Sequence, residues 1–402
     1  MKLRAADWQR LDGMARLLAA LGADQGETRY VGGCVRDTLL DLPVSDIDLA
    51  TRLDPHEVIR RLKKAHIKAV PTGLAHGTIT AILGDGPVEV TTLRRDLVTD
   101  GRRATIAFTE DWKEDAARRD FTINALSADP LSLEIFDYFG GRDDLAERRL
   151  RFIGDPLTRI AEDHLRILRF FRFHARFGRG EPDQAALDAC TARANDLMAL
   201  SRERIADELL KLLGMREPGP TVALMAERGI FRPVLPEIGS EGVAELARLL
   251  EREKTAGVAP DALRRLAALL PADPAQAEAI AARLRLSNKA TKRIAKAARR
   301  QSSDPADPFI LAYTLGAAEA VDRLLLGHSD PARVGALEGW QRPRLPLGGG
   351  DLVAMGLAPG PAVARALQAI ERGWIKGGFS PNLETVRALA RAAVDQALRD
   401  RQ

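Results

Sequence analysis

Between Asp7 and Leu21, apolar residues recur every three or four positions, at Trp8, Leu11, Met14, Ala15, Leu17, Leu18 and Leu21. That spacing predicts one amphipathic helix lying on a sheet. Tyr30 and Val31 lead as a short strand into Gly32-Gly33. A helix follows, with Val35, Leu39 and Leu40 on its buried face and Pro43 at its end. Ile47 and Leu49 alternate with Asp46 and Asp48, the pattern of a half-buried strand with its acids outward. Asp54 and Pro55 are the cap and first turn of another helix. Two β-branched alternating runs, 76–83 and 88–93, are joined by Gly84-Asp85-Gly86-Pro87 as a hairpin, and Glu89 falls on the side away from the core. From Arg94 to Asp111 the chain is polar, with Arg94, Arg95, Asp96, Asp100, Arg102 and Arg103, and reads as a long mobile loop. LEIFDYF at 133–139 is a last strand, and Gly140-Gly141 a sharp turn. Beyond Asp155 strand patterns stop, and Ala/Leu/Arg-rich helical periodicity runs to the end. The predicted fold is a small α/β head with a mixed sheet, followed by an all-helical remainder.

A chain of 402 residues exceeds one compact core and suggests two to four domains. A net charge of +4 permits a polyanionic partner without demanding one. The two cysteines, Cys34 and Cys190, lie far apart with no metal-ligand spacing, which argues against a zinc site or a disulfide framework and fits a reduced, cytoplasmic setting. The N-terminal MKLRAADWQR has no apolar core of a secretion signal, and no apolar run approaches membrane-spanning length, so no membrane association is expected. His76, His164 and His174 have no ligand or triad partner at a telling spacing, and no HExxH, GxSxG or P-loop occurs.

Candidate chemistry gathers in three places. In YVGGCVRDTLLDLPVSDIDL (30–49), Asp46 and Asp48 are two apart and share a strand face. Carboxylates that close repel unless a cation lies between them, and hard oxygen donors suit Mg²⁺. The Gly32-Gly33 turn opens the backbone to a ligand, with Arg36 one helical turn beyond as a phosphate fork. Glu89 is a possible third carboxylate beside the pair. In ARRDFTINAL (117–126), Arg118 and Arg119 offer guanidinium forks to phosphate or ribose, and Asp120 and Asn124 can hydrogen-bond them or a ribose hydroxyl. In EDHLRILRFFRFHARF (162–177), Leu165, Leu168, Phe171 and Ala175 make an apolar helix face. Asp163, Arg166, Arg169 and Arg172 share another. Each piece alone has an ordinary explanation: a turn, a solvated Asp-x-Asp, a surface ion pair.

In this order, however, the pieces resemble the signature of the polymerase β-like nucleotidyltransferases. The forms GGxVRD…DxD, RRDFTxNA and EDxxRxxR resemble those of the tRNA nucleotidyltransferase (CCA-adding enzyme) and bacterial poly(A) polymerase family. The resemblance covers about the first half of the chain. It implies a nucleotidyltransferase head at 1–140, a helical neck at 141–215, a body at 216–300 and a tRNA-binding tail at 301–402. It also implies template-independent addition of C, C and A to the tRNA 3′ end from CTP and ATP. In that scheme Asp46 and Asp48 bind Mg²⁺, and Gly33, Arg36, Arg119, Asp120 and Asn124 cradle phosphates and ribose. Asp163 and Arg166 read the Watson–Crick edge of C or A in place of a template, steadied by Arg169 and Arg172. A flexible charged loop at 94–111 is implied for enzymes that add the terminal A. RERIADELLKLL (202–213) resembles the family's ERxxxE segment, read here as helix ion pairs. Lys289, Lys292, Arg293 and Lys296 recur at three- and four-residue steps as a basic helix face suited to RNA phosphates. No protein partner is expected. The rival readings are a poly(A) polymerase, which the length disfavours, and a non-catalytic RNA-binding protein, which would have no use for metal carboxylates.

Overall fold

The structure is a computed structural model describing residues 1–99, 104–300, 304, 307–327 and 330–399. The chain divides into two compact units: Met1–Val243 with Arg283–Arg285, and Ala244–Ala282 with Leu286–Gln402.

The first unit is built on nine strands: β1 (Thr28–Val31), β2 (Asp48–Thr51), β3 (Lys68–Gly73), β4 (Thr78–Leu83), β5 (Gly86–Thr92), β6 (Arg94–Thr99), β7 (Ala104–Phe108), β8 (Ser127–Ala128) and β9 (Ile135–Phe136). Seven form one mixed sheet in the order β3-β4-β5-β2-β1-β8-β9, and β6 and β7 pair as a separate ribbon. Among the described strands only β2 and β5 run parallel, and their register sets Asp48 directly beside Glu89. Alternation fixes this register: Val88 and Val90 are fully buried, so Glu89 between them is exposed.

Several expectations are corrected. The stretch 94–111 is not a loop, since Arg94–Thr99 and Ala104–Phe108 pair antiparallel. Its charged residues hid the strands because a two-stranded ribbon needs no buried face along its length. Asp100, Arg102 and Arg103 lie outside the described residues. The helix expected over 7–21 is cut into a turn, Asp7–Arg10, and a helix, Met14–Ala20, by Gly13 at φ 86°. Strand 133–139 shrinks to β9. The half-exposed β3 was not foreseen, because KAVPTG shows no clear alternation.

A helix does not run through 162–177. Pro156–Glu162 and Arg166–Phe177 are separate helices, with Asp163 extended at φ −152° between them. The buried face of the second is wider than the sequence suggested, holding Ile167, Phe170, Phe173 and Phe177 besides Leu168 and Phe171. Phe121 packs on Phe152 at 4.9 Å and on Phe173 at 5.3 Å between ring centroids. Aromatic pairs of this kind add about 0.5–1.5 kcal/mol beyond their buried area. They clamp the segment carrying Arg118–Asp120 to the helix carrying Arg166 and Arg169.

The second unit is helical among its described residues, around a core of Tyr313, Leu352, Ile370, Trp374, Val386 and Val394. No helix among the described residues is long and apolar enough to cross a membrane.

Candidate active site

The first unit contains a cavity of about 480 Å³ lined by Gly32, Gly33, Arg36, Asp48, Arg94, Arg118, Arg119, Asp120, Asn124, Asp163, Arg166, Arg169 and Phe173. All three sequence motifs meet there. Gly32 makes the turn at φ 66°, and a Cβ on it would come within 3.1 Å of Arg119 Nη1. The following helix, Gly33–Leu39, has only seven residues. Anion attraction in the cavity therefore rests on guanidinium groups more than on a helix end.

Those groups are held from behind. The buried Asp115 receives Arg118 Nε at 2.8 Å and Arg119 Nη2 at 3.1 Å. Its Oδ1 also accepts the backbone N–H of Arg94 at 3.3 Å. Burial pushes the Asp115 carboxyl up, but the two arginines outweigh it and hold it below its ordinary range. Asp120 is likewise spent on positioning: Arg169 Nε donates to it at 2.7 Å, Asn124 Nδ2 at 3.0 Å and the Phe121 N–H at 2.9 Å. Arg36 is buried, donates to Asp37 and Asn124, and lies 4.2 Å from the ring centroid of Phe177. Burial depresses its pKa despite Asp37. Arg118 falls to about 10, through burial first and with Arg119 and Arg94 adding repulsion against the attraction of Asp115. Cations so crowded and desolvated favour an anion among them.

Asp48 faces this positive wall. Its pKa rises to about 6 through burial and the neighbouring Glu89, with Arg119 and Arg36 pulling the other way. Asp46 lies just before β2, is exposed, and accepts Ser45 Oγ at 2.8 Å. It does not line the cavity. Among the described residues no three His, Cys, Asp or Glu side chains are gathered closely enough to hold a metal by themselves.

At the other wall, Asp163 takes Arg204 Nη2 at 2.8 and 3.1 Å, and its Oδ1 accepts the Leu165 N–H. Arg166 donates to the carbonyl of Arg159 at 2.7 Å, to that of Arg118 at 3.1 Å, and to Glu162. Arg172 does not line the cavity and pairs with the buried Glu208. Glu208 also lies 3.8 Å from Arg169, so Arg172 meets a cavity residue only through that shared acid. Arg94, Phe173, Asp115 and Arg159 were not marked as site residues by their sequence. Asp115 sits within the acidic run before ARRD, where solvation is the ordinary reading. Arg159 precedes its motif by three residues, and that one-turn spacing from Glu162 was its only signal.

The basic helix, Asn288–Ala298, needs one correction. Arg293 turns inward, with Nε 2.6 Å from Asp322 and Nη2 2.8 Å from Asp261, so it is not on the outer basic face. Lys289, Lys292 and Lys296 are exposed, Lys296 lying 3.4 Å from Glu319.

Residues 28–151 match the family described as the Poly A polymerase head domain, and residues 181–241 the probable RNA and SrmB-binding site of polymerase A. The mitochondrial CCA tRNA nucleotidyltransferase 1 of Mus musculus is 33% identical, covering 94% of this chain and 90% of its own. The CCA-adding enzyme of Limosilactobacillus fermentum is 32% identical over 90% and 91% of the two chains. The Bacillus stearothermophilus CCA-adding enzyme, solved in complex with CTP, shares the fold at a TM-score of 0.69 and 24% identity, over 96% of this chain and 98% of that one. With such identity sustained along nearly its whole length, the chain belongs to the CCA tRNA nucleotidyltransferase family.

Proposed function

We propose that the protein adds CMP, CMP and AMP in turn to the 3′ end of tRNA, using CTP and ATP and releasing pyrophosphate. The observation that carries this reading is one cavity lined together by the carboxylate of Asp48, by six arginines, and by Asp163 with Arg166 among them. A triphosphate fits the arginines, as charge-assisted forks prefer. Arg36, Arg118 and Arg119 hold it; Asp37 and Asn124 hold Arg36, and Asp115 holds the other two. Asp163 accepts from the exocyclic amine of C or A, and Arg166 donates to the ring nitrogen. G and U offer the wrong edge and would leave buried groups unpaired.

A divalent ion, Mg²⁺ by the hardness of its donors, fits at Asp48 with Asp46. Asp48 is a desolvated carboxylate crowded by Glu89, a state that a cation relieves. Bound there, the ion would lower the pKa of the tRNA 3′-hydroxyl and offset charge on the leaving pyrophosphate. Glu89 sits in register with Asp48 and is the third acid within reach of that position. The division into head 1–140, neck 141–215, body 216–300 and tail 301–402 follows these roles, with Lys289, Lys292 and Lys296 tracking RNA phosphate. Two buried free cysteines, Cys34 and Cys190, suit a reduced compartment such as the cytoplasm.

Incorporation of labelled CTP and ATP into tRNA lacking its terminal CCA tests the reading. Addition of three nucleotides supports it. Long products from ATP alone would select a poly(A) polymerase, the reading favoured by the description of the head-domain family. No incorporation with Mg²⁺ would leave an RNA-binding protein.

A further inference from the structure

The geometry points to Arg159 as a positioning residue that ties base selection to the phosphate-binding segment. The inference rests on the function proposed above. Arg159 sits on the helix Pro156–Glu162, is 8% exposed, and does not line the cavity. Its Nη2 donates to the carbonyls of Arg118 and, at 2.6 Å, Arg119, the two residues whose side chains face the triphosphate. Its Nη1 meets Glu162 at 2.5 Å, and the same Glu162 oxygen takes Arg166. Arg166 in turn donates to the backbone carbonyl of Arg159 and shares the Arg118 carbonyl with it. One buried guanidinium thus sets the backbone beneath the phosphate forks and the rotamer of the base-reading arginine.

The arrangement is costly for a residue of purely structural use. Burial and repulsion from Arg166 both pull the Arg159 pKa down, against the attraction of Glu162. Helix packing alone would be served by an apolar side chain in this place. What an apolar side chain cannot supply is a planar donor that spans two carbonyls and a carboxylate together. Without Arg159, Glu162 has only Arg166 to bind, and Arg166 loses the fixed frame that aims it at a base edge. The loss falls on discrimination between bases, since a wandering donor no longer penalises the wrong edge.

The test is kcat/KM for CTP and for UTP on tRNA lacking CCA, with the full-length protein. Arg159→Gln, Arg159→Lys and a packing control, Leu168→Ala, are compared with the wild type. Leu168 is buried on the helix of Arg166 and does not line this cavity. The CTP-over-UTP preference should fall about tenfold or more in Arg159→Gln, the scale of losing charge-assisted hydrogen bonds. Arg159→Lys, which keeps the charge and one donor direction, should recover part of it. Leu168→Ala should lower the melting temperature and leave the preference unchanged. A preference within about twofold of wild type in both Arg159 variants would overturn the inference, whatever their overall activity. If Arg159→Gln does not fold, Arg159→Lys decides alone, a fall of about threefold or more supporting the tie and an unchanged ratio refuting it. A wild type that incorporates no CTP would refute the proposed function itself, a distinguishable result.

Discussion

The molecule holds two arginine clusters, built to opposite ends. In the second unit, Arg264, Arg265, Arg293 and Arg323 meet Glu253, Asp261, Asp322 and Asp304, one acid for each cation. Most are nearly inaccessible: Arg264 is 3%, Arg265 2% and Asp322 1% exposed. Every guanidinium there has its counter-charge, and the cluster is closed. In the first unit, six arginines line the cavity, and the acids that pair with Arg36, Arg118, Arg119 and Arg166, namely Asp37, Asp115 and Glu162, do not line it. The comparison teaches that arginine content says nothing about function by itself. The placing of the acids does: a cluster with its acids among the cations holds a fold, and one with most of its acids outside the cavity turns positive charge toward a ligand.

The comparison is broken most severely at the acid of the open cluster. Asp48→Ala should cut turnover by about a thousandfold or more while tRNA binding survives, because a lost metal carboxylate removes several kcal/mol of transition-state stabilisation. Single-turnover extension beside a filter-binding isotherm checks it, and full activity would refute the assignment. In the closed cluster the same kind of change acts on folding. Glu253 receives both Arg264 and Arg265, and Glu253→Ala would remove that shared buried counter-charge from both. A loss of about 3–5 kcal/mol in denaturant melts is expected. Arg119→Ala sharpens the contrast from the other side. It should raise KM for CTP and ATP about ten- to a hundredfold, yet cost less stability than Glu253→Ala, since Arg118 still holds Asp115 and like-charge crowding is relieved.

The smallest effect concerns pH. The pKa of Asp48 is raised to about 6, so its charged form opposes folding. That cost grows as pH rises through the interval between the unfolded and folded values and is complete above about 6. In chelator, Asp48→Asn should therefore gain roughly 1–2 kcal/mol of stability at neutral pH and nothing below about pH 4. Melts at the two pH values check the sign, and a gain confined to acid pH would contradict it.

Much of this site was legible as sequence because its residues lie in short ordered runs. Gly32-Gly33, Arg36, Asp48, Arg118–Asp120 and Asn124 are close enough along the chain for spacing to imply shared faces. The alternation of Val88, Glu89 and Val90 placed Glu89 outward, and β2–β5 pairing brought it to Asp48. What stayed hidden was tertiary. Asp115 and Arg159 act through backbone groups brought together only by folding. Arg293 repeats with Lys289, Lys292 and Lys296 in the sequence, but periodicity cannot tell that Asp322 waits on the inner side. The break at Asp163 escaped because helical spacing continues across it, although Asp163 itself is extended.

The most direct test is a crystal soaked with CTP and a magnesium salt. The triphosphate should lie against Asp48, Arg36 and Arg119, with the cytosine edge on Asp163, released from its present partner Arg204, and on Arg166, still held by Glu162. A nucleotide bound elsewhere, with Asp46, Asp48, Asp163 and Arg166 all untouched, would contradict the account.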